Sequence, residues 1–76
     1  MTPEQLELSV MAHRYLYYVL ADTILSDSAY DFIEREARSV CPPESPVHKL
    51  GSSLPSSYTR AQVEYANHLL EKRDGQ

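Results

Sequence analysis

From Leu8 onward, apolar residues return every three or four positions: Leu8, Met11, Ala12, Tyr15, Leu16, Val19 and Leu20. On an α-helix that spacing makes one buried stripe. The helix start is marked just upstream. Thr2 is an N-cap residue, Pro3 suits the first helical position, and Gln5 is the capping-box partner. Glu4 and Glu7 lie in the opening turns, at the positive end of the helix dipole. The pattern predicts a helix from Pro3 to near Leu20, with Tyr17 on the flank of the stripe and Tyr18 on its opposite edge.

Ala21 to Leu25 reads as a short connection. Ser26 or Asp27 then caps a second helix through about Val40, with Asp31 still in its first turns. Its stripe is Ala29, Ile33, Ala37 and Val40, with Phe32 adjoining. Glu34 and Arg38, four apart, pair on the solvent side for roughly 0.2–0.5 kcal/mol. Two helices joined by so short a link fold back as a hairpin, which brings Tyr17 and Tyr18 near Tyr30. Cys41 to Tyr58 holds four prolines, Gly51 and five serines, without periodicity. It reads as an extended loop, long for a compact domain. A third helix starts at Thr59, with Gln62 as capping-box partner, and runs to about Arg73. Val63, Ala66, Leu69 and Leu70 form its stripe, Tyr65 borders it, and Gly75 lies just beyond.

The expected fold is therefore mainly all-α. An antiparallel helix hairpin spans residues 1–40. A loop occupies 41–58, with a short extended segment near Val47 to Leu50, and a third helix and tail occupy 59–76. The stripe of that third helix packs on the hairpin or faces a partner.

Seventy-six residues make one small domain, which buries only roughly 60% of its unfolded surface. Any ligand site is then a groove rather than a deep cavity. Seven basic against eleven acidic residues leave a net charge of −4, which argues against direct nucleic-acid binding. No apolar run approaches the ~20 residues that span a bilayer, and the acidic N-terminus is unlike a signal peptide. Cys41 is the one cysteine and has no partner for a disulfide or a metal. These features predict a cytoplasmic protein with a reduced thiol.

The densest chemistry lies between His13 and Asp31. Four of the six tyrosines (Tyr15, Tyr17, Tyr18 and Tyr30) fall there, and Asp27 and Asp31 flank the last. Aromatic faces beside carboxylates suit a flat, polar, cationic ligand. The plainer alternative is a tyrosine-rich helix packed on its neighbour, with Asp27 only a cap. His13, His48 and His68 are too scattered for a metal pair, and the loop serines have no evident base.

The order Tyr15-Leu16-Tyr17-Tyr18-Val19, then Asp27-Ser28-Ala29-Tyr30-Asp31, then Ser45-Pro46 through Gly51 resembles the N-terminal helical domain of bacterial NAD-dependent DNA ligases over about residues 8–51. The resemblance implies recognition of the nicotinamide mononucleotide half of NAD. Tyr17 and Tyr30 would stack on the nicotinamide, and Asp27 and Asp31 would accept hydrogen bonds from carboxamide or ribose. Tyr18 stands where the family has His or Tyr, near the phosphate. Val47, His48, Lys49 and Leu50 depart from the family's loop pattern, and Glu44 replaces the usual Asp.

A ligase also needs a nucleotidyltransferase domain and DNA-binding domains, and none fits in this length. Lys72-Arg73-Asp74-Gly75 matches the signature of the adenylated lysine, but at a helix end it reads as a decoy, so the chain is expected not to be an enzyme. Two functions are compatible with these features. One is a stand-alone module that binds NAD through its nicotinamide mononucleotide part and works with a separate adenylation domain. The other is a small phage or mobile-element interaction module that docks on a host protein.

Overall fold

Thr2 and Gln5 do form the expected reciprocal cap. In the computed structural model, which describes residues 1–75, Gln5 N–H donates to Thr2 Oγ1 at 3.1 Å and Thr2 N–H to Gln5 Oε1 at 2.9 Å. Gln76, at the end of the expected tail, lies outside the described residues. Helix α1 covers Pro3–Arg14 and continues into a wider π-helical turn, Tyr15–Val19. Helix α2 covers Asp27–Val40, and α3 covers Arg60–Gly75. Ser26, not Asp27, is the N-cap of α2, accepting from Ala29 N–H at 3.2 Å. Thr59 and Gln62 repeat the capping box at α3.

Three helices and no strand make up the described chain. Helices α1 and α2 run antiparallel: Cys41 Sγ, just past the end of α2, donates to the Pro3 carbonyl at 3.4 Å, while Tyr30 near its start meets Arg14. The loop takes two 3-10 turns, Pro46–His48 and Pro55–Ser57, with extended backbone at flanking residues such as Lys49. Pro46 fixes the φ that starts the first turn, and Ser45 Oγ accepts from Val47 N–H at 3.4 Å. The segment expected to be extended from Val47 therefore begins as a turn.

Helix α1 is the central element, with α2 on one side and α3 on another. Leu6 and Val10 pack with Ala37, Cys41 and Val47, and Tyr30 and Ile33 lie against them. Ala12 and Leu16 pack with Ala66, joined by Tyr15, Ile24, Tyr65, Leu69 and Leu70. The stripe of α3 is thus turned onto α1. The sequence stripe on α1 was too narrow, because a helix with two neighbours buries more than one face. Leu20, placed in that stripe, is 40% exposed. Phe32 and Val40 are also exposed, since α2 meets α1 on one narrow face and Cys41 fills the end of that cluster.

The same face of α1 that carries Leu6 and Val10 carries Arg14 four residues on, and Arg14 is only 2% exposed. Its guanidinium reaches two other parts of the chain, α2 and the proline loop. Nε donates to Tyr30 Oη at 2.9 Å, Nη2 to Glu34 Oε2 at 2.7 Å and Val47 O at 3.0 Å, and Nη1 to Pro46 O at 3.1 Å. Arg38, expected to be the partner of Glu34, is its second cation at 3.5 Å and also donates to Val47 O. Burial alone would lift the Glu34 carboxyl, but hydrogen bonds from Arg14 and Tyr30 outweigh it and hold its pKa below the ordinary range. That stabilisation is present above the unfolded value of 4.5 and is lost as pH falls through the lower folded value.

Removing one partner of a buried ion pair costs roughly 3–5 kcal/mol, because the other is left uncompensated. Arg14→Met is expected to lose about that much in urea unfolding followed by circular dichroism. Arg14→Lys recovers little, since one ammonium cannot reproduce a fork that meets four acceptors. Near wild-type stability in Arg14→Met would show that Arg14 does not anchor the hairpin.

Candidate functional site

The π-helical turn prepares the site. Leu20 N–H reaches back five residues to Tyr15 O at 3.2 Å, and Asp22 N–H reaches six, to Leu16 O at 2.9 Å. Ala21 then takes a positive φ of 54°, a left-handed conformation that costs a non-glycine residue roughly 1–2 kcal/mol. Widened turns of this kind are frequent at functional sites. Here the turn leaves two successive tyrosines on the surface. Tyr17 is 56% and Tyr18 44% exposed, and their rings meet edge to face at 4.8 Å and 86°.

Between this turn, the connection at Thr23–Leu25 and the start of α2 lies a cavity of about 200 Å³. Tyr17, Tyr18, Asp27, Tyr30 and Asp31 all line it. The five residues singled out in the sequence are thus brought together on one concave face. Asp27 and Asp31 are four apart on the first turns of α2 and exposed, with no hydrogen-bond or ion-pair partner among the described residues. Tyr30 is fixed instead: its hydroxyl accepts from Arg14 and donates to Glu34 Oε2 at 3.1 Å. Burial, opposed by the Arg14 hydrogen bond, pushes its phenol pKa up to about 12. Its ring forms wall, and its hydroxyl is already committed.

Three parts of the lining were not anticipated. His13 is half-buried at the cavity, and burial pushes its imidazole pKa below the usual value, keeping it neutral at pH 7. Arg14 forms the floor from which Tyr30 is held. Thr23, Ile24 and Leu25 close the side. For Arg14 a signal existed, because Leu6, Val10 and Arg14 share one face at four-residue spacing. For the connection there was none, since its path depends on the left-handed Ala21.

The other candidates lie elsewhere. His48 Nε2 is 3.2 Å from Cys41 O, and His68 stacks on Tyr65 with centroids 6.3 Å apart. Lys72 is exposed on the last turns of α3. Arg73 beside it clamps Asp22 through two hydrogen bonds of 2.8 and 3.0 Å, tying α3 to the connection.

Most of the chain is similar to a segment of DNA ligases. It is 31% identical over 74 residues to a DNA ligase of Petrotoga mobilis (strain DSM 10674 / SJ95), an alignment that covers 88% of this chain and 10% of that protein. DNA ligases of Roseiflexus castenholzii (strain DSM 13941 / HLO8) and Roseiflexus sp. (strain RS-1) are each 30% identical over 66 residues, covering 78% of this chain and 9% of theirs. The chain spans about a tenth of the length of the curated relatives it matches. No family model matches the chain. No solved structure matches it either.

A tyrosine held in this way has a spectroscopic signature. Absorbance titration is expected to show one phenol ionising near pH 12, absent in Tyr30→Phe. Because the folded state keeps that proton, the associated stability is full below the unfolded value of 10.0 and is lost as pH rises through about 12. Ionisation of every tyrosine near 10 would show that Tyr30 is not buried against Arg14 and Glu34.

Proposed function

We propose that this chain is a nicotinamide-recognition module of the DNA-ligase type, which holds the nicotinamide mononucleotide part of NAD while a nucleotidyltransferase unit carries out the chemistry. The observation that carries the reading is the convergence of Tyr17, Tyr18, Asp27, Tyr30 and Asp31 on one cavity. Its chemistry fits a cationic aromatic amide. Tyrosine faces attract a cationic ring, each good contact adding roughly 0.5–2 kcal/mol. Two carboxylates without partners among the described residues accept hydrogen bonds from an amide or from ribose hydroxyls, and neutral His13 adds no opposing charge. Size also favours a fragment over the whole dinucleotide. The cavity is about 200 Å³, below the roughly 300–1,000 Å³ of pockets that enclose larger ligands. So shallow a site binds weakly, in the micromolar to millimolar range.

The similarity to DNA ligases supports NAD as cofactor and an adenylation domain as partner. Lys72 takes no adenylate in this reading, because nothing around it on an exposed helix end would activate its amine. A second reading, docking on a host protein without ligand chemistry, is favoured by the exposed Leu50 and Leu54 on the loop, at 91% and 62%.

The two are separated by titrating the protein with nicotinamide mononucleotide and monitoring the Tyr17 and Tyr30 resonances. Both should shift at millimolar ligand, and the oxidised nicotinamide should bind better than the reduced. Asp27→Asn and Asp31→Asn should each weaken binding by roughly tenfold or more, the worth of a hydrogen bond to a charged group. Helix content should stay unchanged, because Ser26 supplies the cap. Absence of shifts in the folded protein would transfer the case to protein docking.

Incubation with NAD labelled in its adenylate should leave the chain unlabelled. A label lost in Lys72→Ala would show that the terminal lysine is reactive.

A further inference from the structure

The run Lys72-Arg73-Asp74-Gly75 closes α3. Its lysine is exposed on the helix end, whereas its arginine is held along both edges of the guanidinium. Nη1 and Nη2 donate to the two carboxylate oxygens of Asp22, at 2.8 and 3.0 Å, across fifty-one residues of chain. Nε and Nη2 donate to Asp74, at 2.8 and 3.3 Å. Paired bonds of this kind fix direction as well as distance. Asp74 therefore aims the fork, and Asp22 receives it.

Asp22 follows Ala21, whose positive φ of 54° is a conformation that a non-glycine residue resists. It precedes Thr23, Ile24 and Leu25, which wall the tyrosine–aspartate cavity. On the side of α1 this connection is held by the bond from Asp22 N–H to Leu16 O at 2.9 Å. On the side of α3 it is held twice. Ile24 packs on the cluster that Ala66 shares with Ala12 and Leu16, and Arg73 takes the Asp22 carboxylate. Neither Arg73 nor Asp22 lines the cavity itself.

We infer, on the ligand reading above, that Arg73 is a positioning residue for the nicotinamide site. Through Asp22 it keeps the connection on the left-handed path that lets Thr23, Ile24 and Leu25 stand as a wall. Without the pair, the strain at Ala21 is free to relax and the wall moves with it. A smaller share of the molecules then presents the formed cavity, and apparent affinity falls with that share. The terminal run serves the site through its arginine rather than its lysine.

The test titrates nicotinamide riboside, a cation without a phosphate, into the wild type, Arg73→Ala, Asp22→Asn and the double variant. Each single change should weaken binding roughly two- to fivefold, the range set by one well-made exposed ion pair. The double variant should bind no more weakly than either, because both changes remove the same contact. Arg73→Lys should recover part of the loss. The Asp22 amide should exchange with solvent faster in Arg73→Ala, while the α1–α2 hairpin keeps its protection. A mere change of local charge acts differently: losing Arg73 would tighten binding of a cation, and losing Asp22 would weaken it. Such opposite shifts, or wild-type affinity in Arg73→Ala, overturn the positioning role while leaving the nicotinamide site standing. Failure of the wild type to bind either the riboside or nicotinamide mononucleotide removes the ligand reading, and the role of Arg73 with it.

Discussion

The Arg14 guanidinium is the interaction on which the rest of the structure depends. It is a buried charge, and a buried charge is stable only when its donors are met. Meeting them draws in α2 through Tyr30 and Glu34 and the proline loop through the Pro46 and Val47 carbonyls. One side chain therefore fixes the position of α2 against α1 and the path of a segment without regular structure. Apolar packing at Leu6, Val10, Ala37 and Val47 supplies attraction along the same seam. Attraction of that kind is non-directional, whereas the fork of a guanidinium is not.

The candidate site is a by-product of that anchoring. Tyr30 has its hydroxyl turned to Arg14 and Glu34, so its ring is held as a wall. Asp27 and Asp31, exposed on the same helix, are left without a side-chain partner among the described residues. Across from them the π-helical turn sets Tyr17 and Tyr18 on the surface. The far end of the site is tied down as well, since Arg73 of α3 holds Asp22 in the connection. The fold thus provides a rigid frame around a small group of uncommitted polar and aromatic groups.

Charge is distributed to the same effect. The chain is acidic overall, yet its cations sit where they matter. Arg14 and Arg38 neutralise Glu34 in the hairpin, Arg73 neutralises Asp22, and Arg60 pairs with Glu64 at 3.2 Å on α3. Asp27 and Asp31, which line the cavity, have no ion-pair partner among the described residues.

The three helices and their caps were legible in the sequence, because periodicity and capping depend on residues close together in the chain. Thr2 with Gln5 and Thr59 with Gln62 are local chemistry. So is the placement of Asp27, Tyr30 and Asp31 together at the start of one helix. Tertiary structure decided everything that needed a partner from far away. A single stripe on α1 could not show that two helices flank it, and so missed the Leu6 and Val10 face. Phe32 and Val40 are apolar by type but stay exposed. Glu34 does pair with Arg38 as their spacing predicts, but its shorter bond, at 2.7 Å, goes to Arg14, twenty residues away. The line between the two is physical. Bonds within a turn or two join neighbours that the sequence already sets side by side, whereas the meeting of distant faces exists only once the chain has closed on itself.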